Sequence, residues 1–452
     1  MIDQLVLLGA SGDLTKRLLL PAIASLCEAG HLPDGFSIVG AAIDDWTTEQ
    51  FRAHIDQGLQ DHADVTDATR RTVVDMLTYR RTDVTDATDV QQLLAEDHRN
   101  TLVYLALPPF LLPKVLSALA ECHLTADDAI AIEKPFGTDL ASAKHLNHIL
   151  ATRLPHPTIF RVDHFLSNEL VRRVIILRFL NRVFEPVWNA QHIERVDISW
   201  LESLALEGRA GYYDTAGAMK DMIQNHLMEV MALVLMEQPA RLDADSFRAV
   251  RVEALRAVAT PDPARLVQTT VRARYTAGAI GDRQIPSYVD EPGVDPNRGT
   301  ETYAAITLAV NHPRWVGVPF TLRSGKALAA DSAEIAIHFR PLPDYMVERF
   351  PGVQPNVLRL GLTEPYLRLS TTLNGGDGTT RSEVLDAVSP PPALSPYANL
   401  VRHMLDADPM LFIRGDEAEE AWRIIDPVMQ AWHHDDVPMR EYPAGGDVQP
   451  TT

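Results

Sequence analysis

Apolar positions in the first third of the chain come in short unbroken runs, separated by stretches with a four-residue rhythm. Leu5-Val6-Leu7-Leu8 is one such run, of strand length, and it stops at Gly9-Ala10-Ser11-Gly12-Asp13. Leu14, Leu18, Ala22 and Leu26 then recur every four residues, which predicts a helix. Further runs at 36–42, 102–107, 129–132 and 158–162 predict four more strands. Beyond residue 165 the rhythm changes. A helix is predicted over 166–180, and Ile193–Leu201 alternates as a strand does. Met219, Met222, Ile223, Leu227, Val230, Met231 and Val234 form the apolar stripe of one long amphipathic helix and are expected in the core.

With 452 residues the chain is too long for a single ordinary core, so two domains are expected. The apolar fraction, 46%, is that of a globular protein, and no run approaches the roughly 18 residues of a membrane span. Met1-Ile2-Asp3-Gln4 lacks the basic and apolar regions of an export signal. Cys27 and Cys122 are too few for a disulfide framework and are not spaced for a metal. The cytoplasm is the expected compartment. A net charge of 41 − 61 = −20 argues against a nucleic-acid partner.

The glycine turn carries the first chemistry. A strand, a glycine-rich turn and a helix begin a Rossmann unit, in which backbone N–H groups meet a pyrophosphate at the helix N-terminus. Gly9, Ser11, Gly12, Asp13 and Leu14 are the candidate cofactor contacts, although Ser11 stands where the usual motif has its middle glycine. The second strand ends in Ile43-Asp44-Asp45, at the position that meets the adenosine ribose. A carboxylate there accepts hydrogen bonds from a free 2′-hydroxyl and repels a 2′-phosphate, so Asp44 predicts NAD over NADP. The alternative is that Asp44 and Asp45 cap the helix that follows.

Arg161-Val162-Asp163-His164-Phe165-Leu166-Ser167-Asn168-Glu169 resembles the R-I-D-H-Y-L-G-K-E signature of the glucose-6-phosphate dehydrogenase family. Other segments are similar to that family too: G-A-S-G-D-L from Gly9, Y-L-A-L-P-P ending at Pro109, E-K-P-F-G from Glu133, N-R-V-F-E-P-V-W-N from Asn181, and D-M-I-Q-N-H from Asp221. The resemblance runs from Gly9 to about Pro443. It implies a Rossmann α/β domain over 1–163, followed over 164–452 by an α+β domain with a large, mainly antiparallel sheet, and a homodimer or homotetramer. It implies oxidation of a pyranose C1 hydroxyl to a lactone, with hydride passing to nicotinamide. His226 is the implied general base and Asp163 the carboxylate that orients it, a division of labour known from other His–Asp pairs. Glu202 and Asp221 match positions that accept from sugar hydroxyls. Lys326 matches a sugar-contacting lysine, His164 a phosphate contact, and Lys134 a contact to nicotinamide or sugar. Leu107 and Pro108 lie at a strand end that faces the cofactor. The bond before Pro135 is implied to be cis. No metal is implied.

The chain departs from the family where the sugar phosphate is held. The signature Tyr is Phe165, its Lys is Asn168, and a distal Lys is replaced within Ala329-Ala330-Asp331. Charge-assisted bonds are worth roughly 1.5–3 kcal/mol each, so these changes together weaken a phosphate grip by several kcal/mol. The expectation is a hexose or amino sugar without the 6-phosphate. The alternative is an authentic glucose-6-phosphate 1-dehydrogenase in which Arg172, four residues after Asn168, takes the phosphate instead. Two other classes stay open. One is the wider group of E-K-P sugar oxidoreductases, with Lys134 as the catalytic residue. The other is a catalytically silent NAD(P)-binding regulator.

Overall fold

The computed structural model describes residues 2–95, 99–166, 169–208, 210–376, 379–390 and 392–448, and the counts below refer to these. The chain divides into two compact units. The first comprises Met1–Glu169, Pro239–Ala249 and Pro392–Glu419; the second comprises Leu170–Gln238, Val250–Pro391 and Glu420–Thr452. The sequence reading divides the chain once, between residues 163 and 164. The return of 239–249 and 392–419 to the first unit has no counterpart in that reading.

The first unit is built on six parallel strands: β1 (Gln4–Leu8), β2 (Ser37–Ala42), β3 (Leu77–Arg81), β4 (Thr101–Leu105), β5 (Ala129–Glu133) and β6 (Thr158–Val162). Their order is β3-β2-β1-β4-β5-β6, the doubly wound arrangement in which the order reverses beside β1. Every residue of β1 and β4 is buried, because helices cover both faces of a parallel sheet. This is why those strands read as unbroken apolar runs. The returning segment completes one of the covers. Ala398, Leu400, Val401, Met404 and Leu405 join the core around β1, Phe412 packs on Phe160 at 4.5 Å, and Ile2 N–H donates to the Leu405 carbonyl at 3.0 Å.

The second unit carries β7 (Ile193–Leu201), β8 (Thr270–Thr276), the short hairpin β9 (Gly278–Ile280) and β10 (Arg283–Ile285), then β11 (Tyr303–Leu308), β12 (Phe320–Gly325), β13 (Ser332–Phe339), β14 (Val357–Gly361), β15 (Tyr366–Asn374), β16 (Thr380–Val388) and β17 (Met439–Pro443). Nine of these form one sheet in the order β16-β15-β14-β13-β7-β12-β11-β8-β17. All neighbours in it are antiparallel except β7 with β12 and β8 with β17. No helix is long and apolar enough to cross a membrane among the described residues.

Two helical expectations change in detail. Over 166–180 the described helix starts at Glu169 and turns π-helical at Ile176–Leu180. The stripe from Met219 belongs to a π-helix, Met219–Leu227, continued by an α-helix, Met228–Leu235. All eight residues of the latter are buried, so it is a core helix rather than an amphipathic one. Its last carbonyls are satisfied by side chains: Arg178 donates to the oxygens of Leu233 and Val234 at 3.0 and 3.1 Å, the Trp188 indole to Val234 at 2.9 Å, and the Trp315 indole to Leu235 at 3.0 Å. Carbonyls at a helix end lack intrahelical partners, so these three side chains fix where the helix stops.

Candidate active site

The glycine turn follows β1 directly. Gly9 has φ +88°, and a Cβ at this position would overlap the Ala106 carbonyl oxygen and press on the Leu107 side chain. Only glycine fits, because the turn is packed against the end of β4. This places Leu107 and Pro108 beside the turn. Gly12 N–H donates to the Gly9 oxygen at 3.0 Å and starts a helical run through residue 28. Asp13 is exposed and pairs with Arg17 at 3.3 Å; Ser11 and Leu14 are half-buried. A tight turn that admits no side chain, opening a helix N-terminus, suits a dinucleotide pyrophosphate. Gly9, Ser11 and Gly12 would hold it, and the bound nicotinamide would supply the hydride acceptor.

The alternative role for Asp44 and Asp45 is overturned. The helix Thr48–His62 is capped by Thr47, whose side chain accepts from Gln50 N–H while the Gln50 side chain accepts from Thr47 N–H. A β-branched hydroxyl residue with Gln three positions on is a capping box, and it makes an aspartate cap unnecessary. Tyr79 anchors the loop instead, its hydroxyl donating to the backbone oxygens of Ala42 and Asp44 at 3.2 and 2.8 Å. Asp44 itself is half-buried.

At the ends of β4 to β6 stands a second group. Lys134–Pro135 is a cis peptide. The Glu133 carboxyl is pushed up to about 7, chiefly by burial and also by the Asp163 charge, against the opposing effects of the Tyr104 hydroxyl, Lys134 and the Tyr397 hydroxyl. Tyr104 donates to Glu133. Asp163 is buried and accepts from Phe165 N–H at 2.9 Å, which fixes one carboxylate oxygen. The His164 ring stacks on Tyr397 at 5.8 Å and meets the buried Phe165 edge-on at 5.1 Å. Tyr397 lies in the returning segment, which no local pattern in the sequence ties to this sheet.

In the second unit, parallel pairing does the positioning. Leu201 of β7 stands opposite Gly325 of β12, so Glu202 and Lys326 each follow one step beyond the paired strands. Lys326 Nζ donates to Glu202 Oε2 at 2.6 Å and lies 5.5 Å from the centre of the Tyr213 ring. The structure thus joins two candidate sugar contacts that are 124 positions apart. Asp331 is directed elsewhere: it accepts from the Ser203 N–H and hydroxyl at 2.6 and 2.9 Å.

Asp221 and His226 share the π-helix. On an ordinary helix they would stand about 140° apart. Here a turn closes over five residues, which brings the two positions to the same side. Asn225 explains the wider turn. Its side-chain nitrogen donates to the Lys220 oxygen at 3.1 Å and its oxygen accepts from His226 N–H at 2.6 Å, so the carboxamide is set into the helical ladder. Asp221 accepts from the Tyr212 hydroxyl at 3.2 Å, and His226 is buried. Asn225 and Tyr212 were not singled out from the sequence; the Asn inside D-M-I-Q-N-H was the available signal. Arg172 is exposed on the helix Glu169–Ile175, while Asn168 lies outside the described residues.

The family models for the glucose-6-phosphate dehydrogenase NAD binding domain and C-terminal domain match residues 6–173 and 175–451. The chain is 36% identical to the glucose-6-phosphate 1-dehydrogenase of Treponema pallidum, over 98% of this chain and 91% of that one. The enzyme of the same name from Gluconobacter oxydans is also 36% identical, over 97% and 93%. Among solved structures, a glucose-6-phosphate dehydrogenase in complex with its substrate glucose-6-phosphate superposes with a TM-score of 0.89 at 29% identity, covering 99% of this chain and 96% of that one. A glucose-6-phosphate 1-dehydrogenase from Mycobacterium avium gives 0.87 at 32% identity, over 98% and 94%. Two domain matches that together span nearly every residue, with relatives alike from end to end, place this chain in the glucose-6-phosphate dehydrogenase family.

Proposed function

We propose that this chain oxidises a hexopyranose at C1, releasing the 1,5-lactone, with NAD as the preferred acceptor and a sugar that lacks the 6-phosphate. The bound nicotinamide would accept the hydride of C1, and His226 would take the hydroxyl proton, a transfer to which an imidazole is suited. Asp163 is proposed as the orienting carboxylate. The observation that carries the sugar reading is the Glu202–Lys326 pair at 2.6 Å, an acceptor and a cationic donor held side by side at two strand ends. Such a pair matches a vicinal diol, one hydroxyl donating to the carboxylate and its neighbour accepting from the ammonium. His164, Asn168, Asp221 and Lys134 complete the proposed substrate contacts.

NAD is supported by Asp44, which Thr47 relieves of a capping role. Absence of the phosphate is supported by the buried, apolar Phe165 and by Ala329-Ala330-Asp331 in place of a lysine. The second reading, glucose 6-phosphate itself, is favoured by the names of the relatives and by Arg172, an exposed cation on the helix after the signature. Self-association belongs to the same proposal, supported by Val384, Leu385 and Val388, which the outermost strand β16 leaves exposed.

The test is a panel of glucose, glucosamine and glucose 6-phosphate, each with NAD and NADP. A kcat/KM preference for the phosphorylated sugar above roughly a hundredfold rejects the leading reading. Unchanged KM for glucose 6-phosphate in Arg172→Ala removes Arg172 as the replacement phosphate contact. No turnover with any sugar, alongside tight NAD binding, identifies a silent regulator.

A further inference from the structure

The helix bearing Asp221 and His226 does not simply continue the one before it. The helical stretch from Ala210 breaks at Gly217, which has φ +67° and ψ 171°, and the π-helix begins at Met219. A helix start leaves backbone N–H groups without intrahelical partners. Two of them here are taken by one distant residue. Ala218 N–H donates to the Glu301 backbone oxygen at 3.3 Å, and Met219 N–H donates to Glu301 Oε1 at 2.9 Å. Glu301 is 5% exposed, so neither bond has water as a ready substitute. Gly217 is required by the same contact, since a Cβ there would overlap the Glu301 carboxylate.

The segment that delivers Glu301 also holds the other side of the break. Asp214, 1% exposed, accepts from the Tyr288 hydroxyl at 2.7 Å, from Asp295 N–H at 3.1 Å and from Arg298 at 2.9 Å. Its backbone oxygen accepts from the Thr300 hydroxyl at 2.6 Å. Residues 288–301 therefore grip the end of one helix through Asp214 and the start of the next through Glu301. The far end of the second helix is fixed by Arg178, Trp188 and Trp315, so the grip at its start decides where residues 221 and 226 stand.

We propose that Glu301 is a positioning residue for catalysis: by capping Ala218 and Met219 across the Gly217 break, it sets the axial position of the helix that carries His226. The inference rests on His226 being the base. Nothing in it requires Glu301 to touch substrate. The Met219 bond needs an acceptor of the right reach, not a charge, and this makes the variants informative.

The experiment compares Glu301→Ala, Glu301→Gln, Glu301→Asp and His226→Asn by steady-state kinetics, with circular dichroism and melting midpoint as checks on folding. Glu301→Gln keeps the acceptor and is expected to hold kcat within about threefold of the parent. Glu301→Ala is expected to lower kcat by at least about tenfold with cofactor KM within about threefold. If Glu301→Ala does not fold, Glu301→Asp, which withdraws the acceptor by one methylene, is expected to show the same split. Full kcat in the alanine or aspartate variant overturns the proposal, as does a glutamine variant as slow as the alanine one. Turnover that survives His226→Asn rejects the base assignment instead, whatever the Glu301 variants do.

Discussion

Glu301 also makes a thermodynamic prediction that is separate from rate. Burial pushes its carboxyl up from 4.5 to about 7, against the lowering effects of Met219 N–H, its own backbone, Arg272 and Lys220. Between those two values the native state keeps a proton that the unfolded chain has released. Stability from this group is therefore fully present below pH 4.5 and is lost as pH rises through about 7. At 1.36 kcal/mol per pH unit, the interval from 4.5 to about 7 amounts to about 3 kcal/mol. Glu301→Gln cannot ionise but still accepts from Met219 N–H. Its stability relative to the parent should thus climb by up to about 3 kcal/mol between pH 4.5 and 8. The assay is the urea midpoint of both proteins at several pH values and constant ionic strength. At an m-value of at least about 3 kcal/mol/M, the midpoints should diverge by up to about 1 M. Glu133 titrates in the same window, but it is present in both proteins and cancels in the difference. Midpoints that stay parallel across the range refute the reasoning, as does a parent that gains on the variant as pH rises.

Gly9→Ala should abolish cofactor binding and lower the melting midpoint, because it sets a methyl group against the Ala106 carbonyl at a positive φ; calorimetric titration with NAD measures the first effect. Asp44→Ala should move the NAD-to-NADP ratio of kcat/KM toward NADP by at least about tenfold, and an unmoved ratio removes Asp44 from cofactor choice. Lys326→Ala breaks a pair whose side chains are 20% and 29% exposed, so its effect on stability should stay within about 1 kcal/mol. Its kcat/KM for the sugar should nevertheless fall at least about tenfold, and a large stability loss without a kinetic one would make the pair structural.

Local features of the sequence went a long way. The strands of the first sheet were legible because burial on both faces leaves a run with no polar interruption, as in Leu5-Val6-Leu7-Leu8. Gly9 was legible because glycine directly after a strand marks a tight turn. What escaped depends on contacts between remote positions. Glu301 reads as an ordinary strand-end glutamate until Met219 is found bonded to it. Tyr397 gives no local sign that it stacks on His164. The π-helix was missed because apolar spacing alone does not reveal that Asn225 sits in the ladder. Asp44 was weighed as a cap although Thr47 and Gln50, three apart, already spelled a capping box.

The returning segment separates the order of synthesis from the order of completion. The nascent chain emits all six strands of the first sheet by residue 162, yet the side chains that finish its core, from Ala398 to Phe412, emerge more than two hundred residues later. For most of that interval the apolar side chains that this segment packs against stand uncovered, the condition under which chaperones bind and truncated products aggregate. A stop codon at residue 392 would therefore damage the amino-terminal unit, some two hundred residues upstream of the break.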